Sequence, residues 1–190
     1  SKPSPFPYDK NARLYLPDDI SKYQDANFVY ELSDYILNLA TATNGRTLTL
    51  FTSKKEMEEV YKLLKKSSNQ QFNIVKQSNR SEKETIDEFR ETKGILLATG
   101  TYWEGLNIEG SDLTSLIITR LPFPVPDPVI ENKMKKSSNS YEDVLFPEMI
   151  LKLRQGVGRL IRAATDVGIL SILDSRLAKN SKYRNKDKIL

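Results

Sequence analysis

The run Gln155-Gly156-Val157-Gly158-Arg159-Leu160-Ile161-Arg162 gathers one amide and two guanidinium groups in a short piece of chain. On a helix, at about 100° per residue, Arg159 falls about 40° from Gln155 and Arg162 about 20° to its other side, so all three share a face. Leu160 and Ile161 point elsewhere and can hold the segment in a core. Gly156 and Gly158 each cost about 1 kcal/mol against Ala in a helix interior, which implies that something approaches the backbone closely. Two permanent cations with planar donor forks suit a polyphosphate whose charge rises in a transition state. The plainer alternative is a surface helix whose arginines pair with carboxylates.

A second stretch with chemical potential runs from Thr99 to Gly110. It holds three glycines, threonine hydroxyls, the amide of Asn107, the single tryptophan Trp103 and the carboxylate of Glu104. Glycine permits tight backbone conformations, and this mixture of groups suits contact with a sugar-phosphate chain. Trp103 has two readings, a plug of the core beneath a turn or a surface on which a base stacks, and the plug is the plainer. Thr52 and Ser53 stand where a helix should begin, so its unpaired N–H groups favour a phosphate there. Ser53 as a helix cap and its neighbours' N–H groups as phosphate ligands do not exclude each other. Lys54 and Gln77 join as candidates by position alone.

Composition narrows the chemistry. A chain of 190 residues with 38% hydrophobic residues suits one globular domain. Twenty-nine basic against twenty-five acidic residues, with a pI near 9.1, lean toward a polyanionic partner. There is no histidine and no cysteine, which excludes imidazole acid/base catalysis, thiol nucleophiles, disulfides and Cys/His zinc sites within the segment. No apolar run approaches the roughly 18 residues that would span a bilayer, and the amino terminus does not resemble a signal peptide. The expectation is a soluble, intracellular domain.

Residues 1–20, with prolines at positions 3, 5, 7 and 17, read as a lead-in from a preceding domain, with an edge strand at Arg13-Leu14-Tyr15-Leu16. The spacing of Phe28, Leu32, Tyr35, Ile36 and Leu39 predicts a helix from about Asp25 to Ala42, stopped by Gly45. Next come a strand over 47–51 and a helix opened by a capping box of Ser53 and Glu56, with Met57, Val60, Tyr61 and Leu64 as its apolar stripe. The alternation repeats: a strand over 72–75, a second capping box of Ser81 and Glu84, and a third strand over 94–98. Leu116-Ile117-Ile118 and residues 168–173 read as further strands. Between them lie a Pro-rich turn, a polar Lys133 to Ser140 stretch with the composition of a mobile loop, and a helix from about Pro147 to Arg162.

Short continuous apolar strands alternating with amphipathic helices imply an α/β fold, an open, mostly parallel sheet with helices on both faces. The main domain is expected to span 21–178, with 179–190 as a basic, solvated tail. In such sheets ligands sit outside the carboxyl ends of the strands. Thr52-Ser53, Gln77, the Thr99 to Gly110 loop and Arg120 all fall there.

Taken in order, Leu50-Phe51-Thr52-Ser53, Gly100-Thr101-Tyr102-Trp103-Glu104-Gly105, Leu121-Pro122-Phe123-Pro124, Gln155 through Arg162, and Asp174-Ser175-Arg176 resemble the second, C-terminal RecA-like domain of the DinG/XPD family of superfamily-two helicases. Ser4-Pro5-Phe6 resembles the junction by which that family's chain enters this domain. The resemblance implies ATP with Mg2+ held mostly by an N-terminal helicase domain of the same chain, and single-stranded DNA or RNA crossing both domains. It gives Arg159 and Arg162 the role of arginines that reach the terminal phosphate across the cleft, with Gln155 orienting the site. It places Glu104 and Gly105 in the loop that joins the ATP site to the nucleic-acid track, with Thr101 near a phosphate. The family has Asp where this chain has Asn107; an amide still accepts a hydrogen bond from ribose but lacks the charge to hold a basic partner.

None of the eight glycines is followed by lysine, so the segment contains no Gly-x-x-x-x-Gly-Lys-Ser/Thr phosphate loop. No Asp-Glu pair closes an apolar strand to hold magnesium. The expectation is therefore a part of a longer protein, inactive alone as an ATPase. The family's iron–sulfur cysteines, where present, lie in the other helicase domain. Relatives with an amino-terminal exonuclease domain keep two classes open: an ATP-driven DNA helicase, or a nuclease for which this domain is a nucleotide-gated clamp on single strands. A degenerate, non-enzymatic scaffold is a third class, disfavoured because the glutamine and both arginines are intact. The resemblance further implies DNA maintenance in a bacterial cytoplasm.

Overall fold

The computed structural model describes residues 12–67, 71–78, 80–100, 102–105, 108, 110–158, 160 and 167–189. Six strands form one sheet: β1 (Ala12–Tyr15), β2 (Thr47–Leu50), β3 (Ile74–Lys76), β4 (Ile95–Ala98), β5 (Ser115–Ile118) and β6 (Gly168–Ile172). Their order across the sheet is β1-β6-β5-β2-β4-β3, and each neighbouring pair is parallel. The predicted α/β architecture is thus the observed one, with strand boundaries shifted by one or two residues and the first helix starting three residues later than expected. β2 lies at the centre, with the chain running to β3 and β4 on one side and to β5 and β6 on the other.

Central strands of such a sheet are covered on both faces, which is why β2, β4 and β5 are buried at every position. Alternation divides their side chains between two cores. Ile95, Leu97 and Ile117 join Phe28, Leu32, Ile36 and Ala40 of α1 (Phe28–Ala42) and Met57, Val60 and Leu64 of α2 (Lys54–Ser67). Leu48, Leu50, Leu96 and Ile118 face the opposite way, toward Ile86 and Phe89 of α3 (Glu82–Thr92) and Met149 and Leu153 of α6 (Phe146–Val157). Trp103, in the one-turn α4 (Tyr102–Gly105), completes that second core.

The turns are set by local chemistry. Gly45 has a φ of +80°, and a Cβ there would lie 1.9 Å from the Lys93 carbonyl oxygen, so only glycine fits where α1 turns into β2. Ser81 and Glu84 form the reciprocal capping box expected for α3. The box at α2 is only half made. Ser53 Oγ accepts the Glu56 N–H at 3.3 Å, but the Glu56 carboxylate turns inward, where Thr119 donates to it and Arg120 faces it.

Three expectations are corrected. Part of the Lys133 to Ser140 stretch is helical, in α5 (Pro128–Lys135), capped by the Asp127 side chain on the Ile130 N–H. The helix predicted through Arg162 ends at Val157, entered through a π-helical turn at Tyr141–Leu145. Two glycines within three residues weaken its last turn, and Gly158 closes it by donating to the Arg154 carbonyl. Residues expected as a solvated tail partly fold back: Asn185 is 2% exposed and donates to Glu142, just before α7 (Lys186–Ile189).

Candidate functional site

A parallel sheet gathers the carboxyl ends of its strands along one edge, and two clefts open there on either side of the β2 end. The larger, about 650 Å³, lies beyond β2, β4 and β3 and is lined by Lys54, Lys76, Gln77, Ser78, Arg80 and Thr99 among others. Gln77 extends β3 by donating its backbone N–H to Leu97, and its side-chain oxygen accepts the Thr99 N–H at 2.8 Å. That bond ties the β3 and β4 ends together and uses the oxygen of the Gln77 amide. Lys54 is exposed at the first turn of α2. Lys76 pairs with Glu58 and Arg80 with Glu88 at 2.8 Å, so two of the three cations are partly neutralised. Glu88 is held below the usual glutamate range, first by its bond from Asn73 and then by Arg80, against burial.

The smaller cleft, about 260 Å³, lies beyond β2, β5 and β6 and is lined by Tyr23, Thr52, Arg120, Phe123, Lys152 and Arg176 among others. Arg120 Nε donates to Thr52 Oγ1 at 2.5 Å, and its guanidinium carbon sits 4.9 Å from the Tyr23 ring centre. Beneath it, Glu56 is buried, and that burial raises its carboxyl above the ordinary range, with Arg120 and Thr119 opposing. Arg176 is fixed by Asp174, which takes its Nε and a terminal nitrogen at 2.9 and 2.6 Å. The same Asp174 accepts the Leu121 N–H at 2.8 Å, locking the chain as it leaves β5.

Of the residues singled out by sequence, Thr52, Ser53, Lys54 and Gln77 come together around the β2 and β3 ends. Ser53 is a cap, as expected. Gln155 is exposed on the last turn of α6. Glu104 and Gly105 lie in α4, beyond β4. Thr101, Asn107, Arg159 and Arg162 lie outside the described residues. Because α6 stops at Val157, Gln155 is the one residue of the Gln155, Arg159 and Arg162 trio that lies on this helix. The close approach inferred from Gly156 is real, but the Trp103 ring makes it: a Cβ at Gly156 would lie 3.0 Å from Trp103 Cζ3. Trp103 is fully buried and donates its indole N–H to the Phe51 carbonyl at 3.1 Å, so it is the plug.

Sequence reasoning gave no role to Tyr23, Phe123, Lys152 or Arg176. Phe123 and Arg176 sit in stretches that carried the resemblance, and their strand-end position was the available signal. Tyr23 and Lys152 carried none.

A six-stranded parallel sheet covered by helices on both faces is the fold shared with RecA-like helicase domains. The helicase C-terminal domain family matches residues 36–187, and the chain belongs to that family, in its DinG/XPD branch. It is 32% identical over 180 residues to the ATP-dependent DNA helicase YoaA of Haemophilus influenzae, covering 92% of this chain and 28% of that protein. It is 34% identical over 186 residues to the 3'-5' exonuclease DinG of Bacillus subtilis, covering 92% of this chain and 20% of that one. The chain thus spans less than a third of the length of either relative. Among solved structures, an XPD helicase superposes with a TM-score of 0.73 at 20% identity, over 94% of this chain and 34% of that one. S. cerevisiae Dbp5 bound to RNA and ADP BeF3 gives 0.59 at 16% identity, over 95% and 38%. Both likenesses speak to the fold. Among the described residues, no helix is long and apolar enough to cross a membrane.

Proposed function

We propose that this chain is the second motor domain of an ATP-driven DNA helicase, contacting single-stranded nucleic acid through the larger strand-end groove and lending cations to ATP bound by a preceding N-terminal helicase domain. The observation that carries the strand-contacting half is the convergence of Lys54, Lys76, Gln77, Ser78, Arg80 and Thr99 on one groove at the ends of three parallel strands. Ammonium, guanidinium, amide and hydroxyl groups in a row suit a phosphate backbone and carry little base preference. Binding is expected to be salt-sensitive and indifferent to sequence.

In the ATP-directed half, Arg159 and Arg162 neutralise charge on the transferring phosphoryl group, and Gln155, exposed beside them in sequence, orients the attacking side. Glu104, Gly105 and Asn107 couple that site to the strand, with Thr101 on the strand side. Among the described residues no three Asp, Glu, His or Cys side chains gather as metal ligands. The magnesium that accompanies ATP, like the phosphate loop, belongs to the preceding domain. ATP turnover then needs both domains.

The test is strand displacement and ATP hydrolysis by the intact protein. Arg159→Ala or Arg162→Ala should each reduce turnover by about 10³-fold or more, the scale of an arginine finger. Hydrolysis unchanged in both variants would overturn the assignment. A second reading draws on the likeness to a protein named as a 3'-5' exonuclease and on Asn107: the domain is a nucleotide-gated clamp for a nuclease. It predicts ATP-sensitive degradation of single strands with no unwinding.

A further inference from the structure

We infer that the smaller cleft seats one nucleotide of the same single strand, its phosphate on Arg120 with Lys152 in the same wall, and its base against the Tyr23 ring. This rests on the reading of the larger groove as strand-contacting and extends it across the β2 end.

The two arginines of the cleft are held differently. Arg176 spends Nε and a terminal nitrogen on the Asp174 carboxylate, so it is an anchor, stacked 5.0 Å from the Phe123 ring centre. Arg120 spends only Nε, on Thr52. Among the described residues its terminal nitrogens face one carboxylate, Glu56, in an ion pair at 3.8 Å, longer than a hydrogen bond. The fork of Arg120 is thus oriented by Thr52 and Tyr23 while its paired terminal donors stay open to a planar or tetrahedral anion. Lys152 adds a second charge from α6.

The aromatic component fits a base. Tyr23 is 46% exposed at the rim, its ring already positioned by Arg120 at 4.9 Å, so a stacking face and a phosphate-binding fork lie within one contact of each other. Val125, 78% exposed, adds apolar surface to the same rim. Continuity identifies the occupant as a strand. Thr52 lines this cleft and Lys54 the larger groove, two residues apart at the start of α2. A strand leaving the groove over the β2 end meets Arg120 next.

The experiment is photocross-linking of the intact protein to an oligothymidylate carrying 5-iododeoxyuridine at successive positions, with cross-linked peptides located by mass spectrometry. Cross-links at Tyr23, reduced about tenfold by Arg120→Gln and restored in part by Arg120→Lys, support the assignment. Tyr23→Ala, at an exposed site, should weaken oligonucleotide binding about tenfold, as loss of one stacked base does. Arg120→Gln should lower the magnitude of the salt slope by about 0.7, as loss of one phosphate contact does. Cross-links confined to the larger groove would overturn the second seat and leave the strand-contacting reading standing. Absence of cross-links anywhere in this chain would remove both. Loss of the Tyr23 cross-link in excess ADP, with groove cross-links intact, would make the cleft a free-nucleotide site and overturn the inference.

Discussion

The Trp103 ring lies flat enough against α6 that a methyl group on Gly156 would come within 3.0 Å of Cζ3 and 3.1 Å of Cε3. Gly156, the first glycine of the Gln155 to Arg162 run, is therefore a seat for an indole, and the indole in turn spans from α6 to the Phe51 carbonyl at the β2 end. With Met149 and Leu153 in the same core, this contact positions the segment carrying Gln155 against the strand from which both clefts begin.

Gly156→Ala should consequently destabilise the protein, although alanine is the better helix former. Propensity favours Ala by about 1 kcal/mol, while forcing a methyl into a filled core costs about 1–3 kcal/mol. A net loss of up to about 2 kcal/mol is expected from urea midpoints. Gly158→Ala is the control: its φ is −60°, and the nearest atom to a new Cβ is the Arg154 carbonyl oxygen at 3.3 Å. It should cost less than half as much. Equal or higher stability of Gly156→Ala would remove the ring contact from the account.

Trp103 is the sole tryptophan and fully buried, so its fluorescence reports this contact directly. Native emission should be blue-shifted and resist acrylamide, and both properties should vanish on unfolding. Trp103→Phe would leave the Phe51 carbonyl without its donor and open space beside Gly156, a loss of about 2–4 kcal/mol. Strong acrylamide quenching in the native state would contradict a plug.

What could be read in advance followed the range of the forces involved. The Ser81–Glu84 box was legible because both partners lie within one turn of chain. Its twin at Ser53 was half legible, because the Glu56 side chain is claimed by Thr119 and Arg120 from another strand's end. Strand β4 declared itself as an unbroken apolar run, Ile95 to Ala98, and β5 did so after Ser115, the mark of burial on both faces, whereas β2 buries Thr47 and Thr49 between its apolar residues. Gly156 signalled a close approach but not its source, since nothing local says that Trp103 is the neighbour. The Tyr23–Arg120 stack joins an irregular segment to a strand end and leaves no periodic trace.

Asp174 holds the β6 end as one buried carboxylate with four bonds: from the Leu121 N–H, the Arg176 N–H, Arg176 Nε and a terminal Arg176 nitrogen. Asp174→Ala should cost about 3–5 kcal/mol, because it strands a guanidinium and a buried N–H at once. Asp174→Asn keeps an acceptor for Leu121 and should cost less. Denaturant midpoints decide this, and indistinguishable losses in the two variants would mean that the charge has no part in it.

Glu56 gives stability a pH dependence of definite sign. Burial raises its carboxyl above the ordinary value of 4.5, and Arg120 and Thr119 only partly oppose this. The folded protein therefore holds this proton more tightly than the unfolded chain does. The resulting stabilisation is fully present below the ordinary value and is lost as pH rises through the raised folded value. Glu56→Gln keeps an acceptor for the Thr119 hydroxyl and removes the titration. Subtracting the variant's stability from that of wild type cancels the other carboxylates, which titrate alike in both. The difference should favour wild type most at about pH 4 and decline steadily toward neutrality, where the charged carboxylate must be kept out of water. Urea titrations of the pair at several pH values give the curve directly. A difference that grows with pH would mean that Arg120 outweighs burial, and the guanidinium would then be committed to Glu56 and not open to a phosphate.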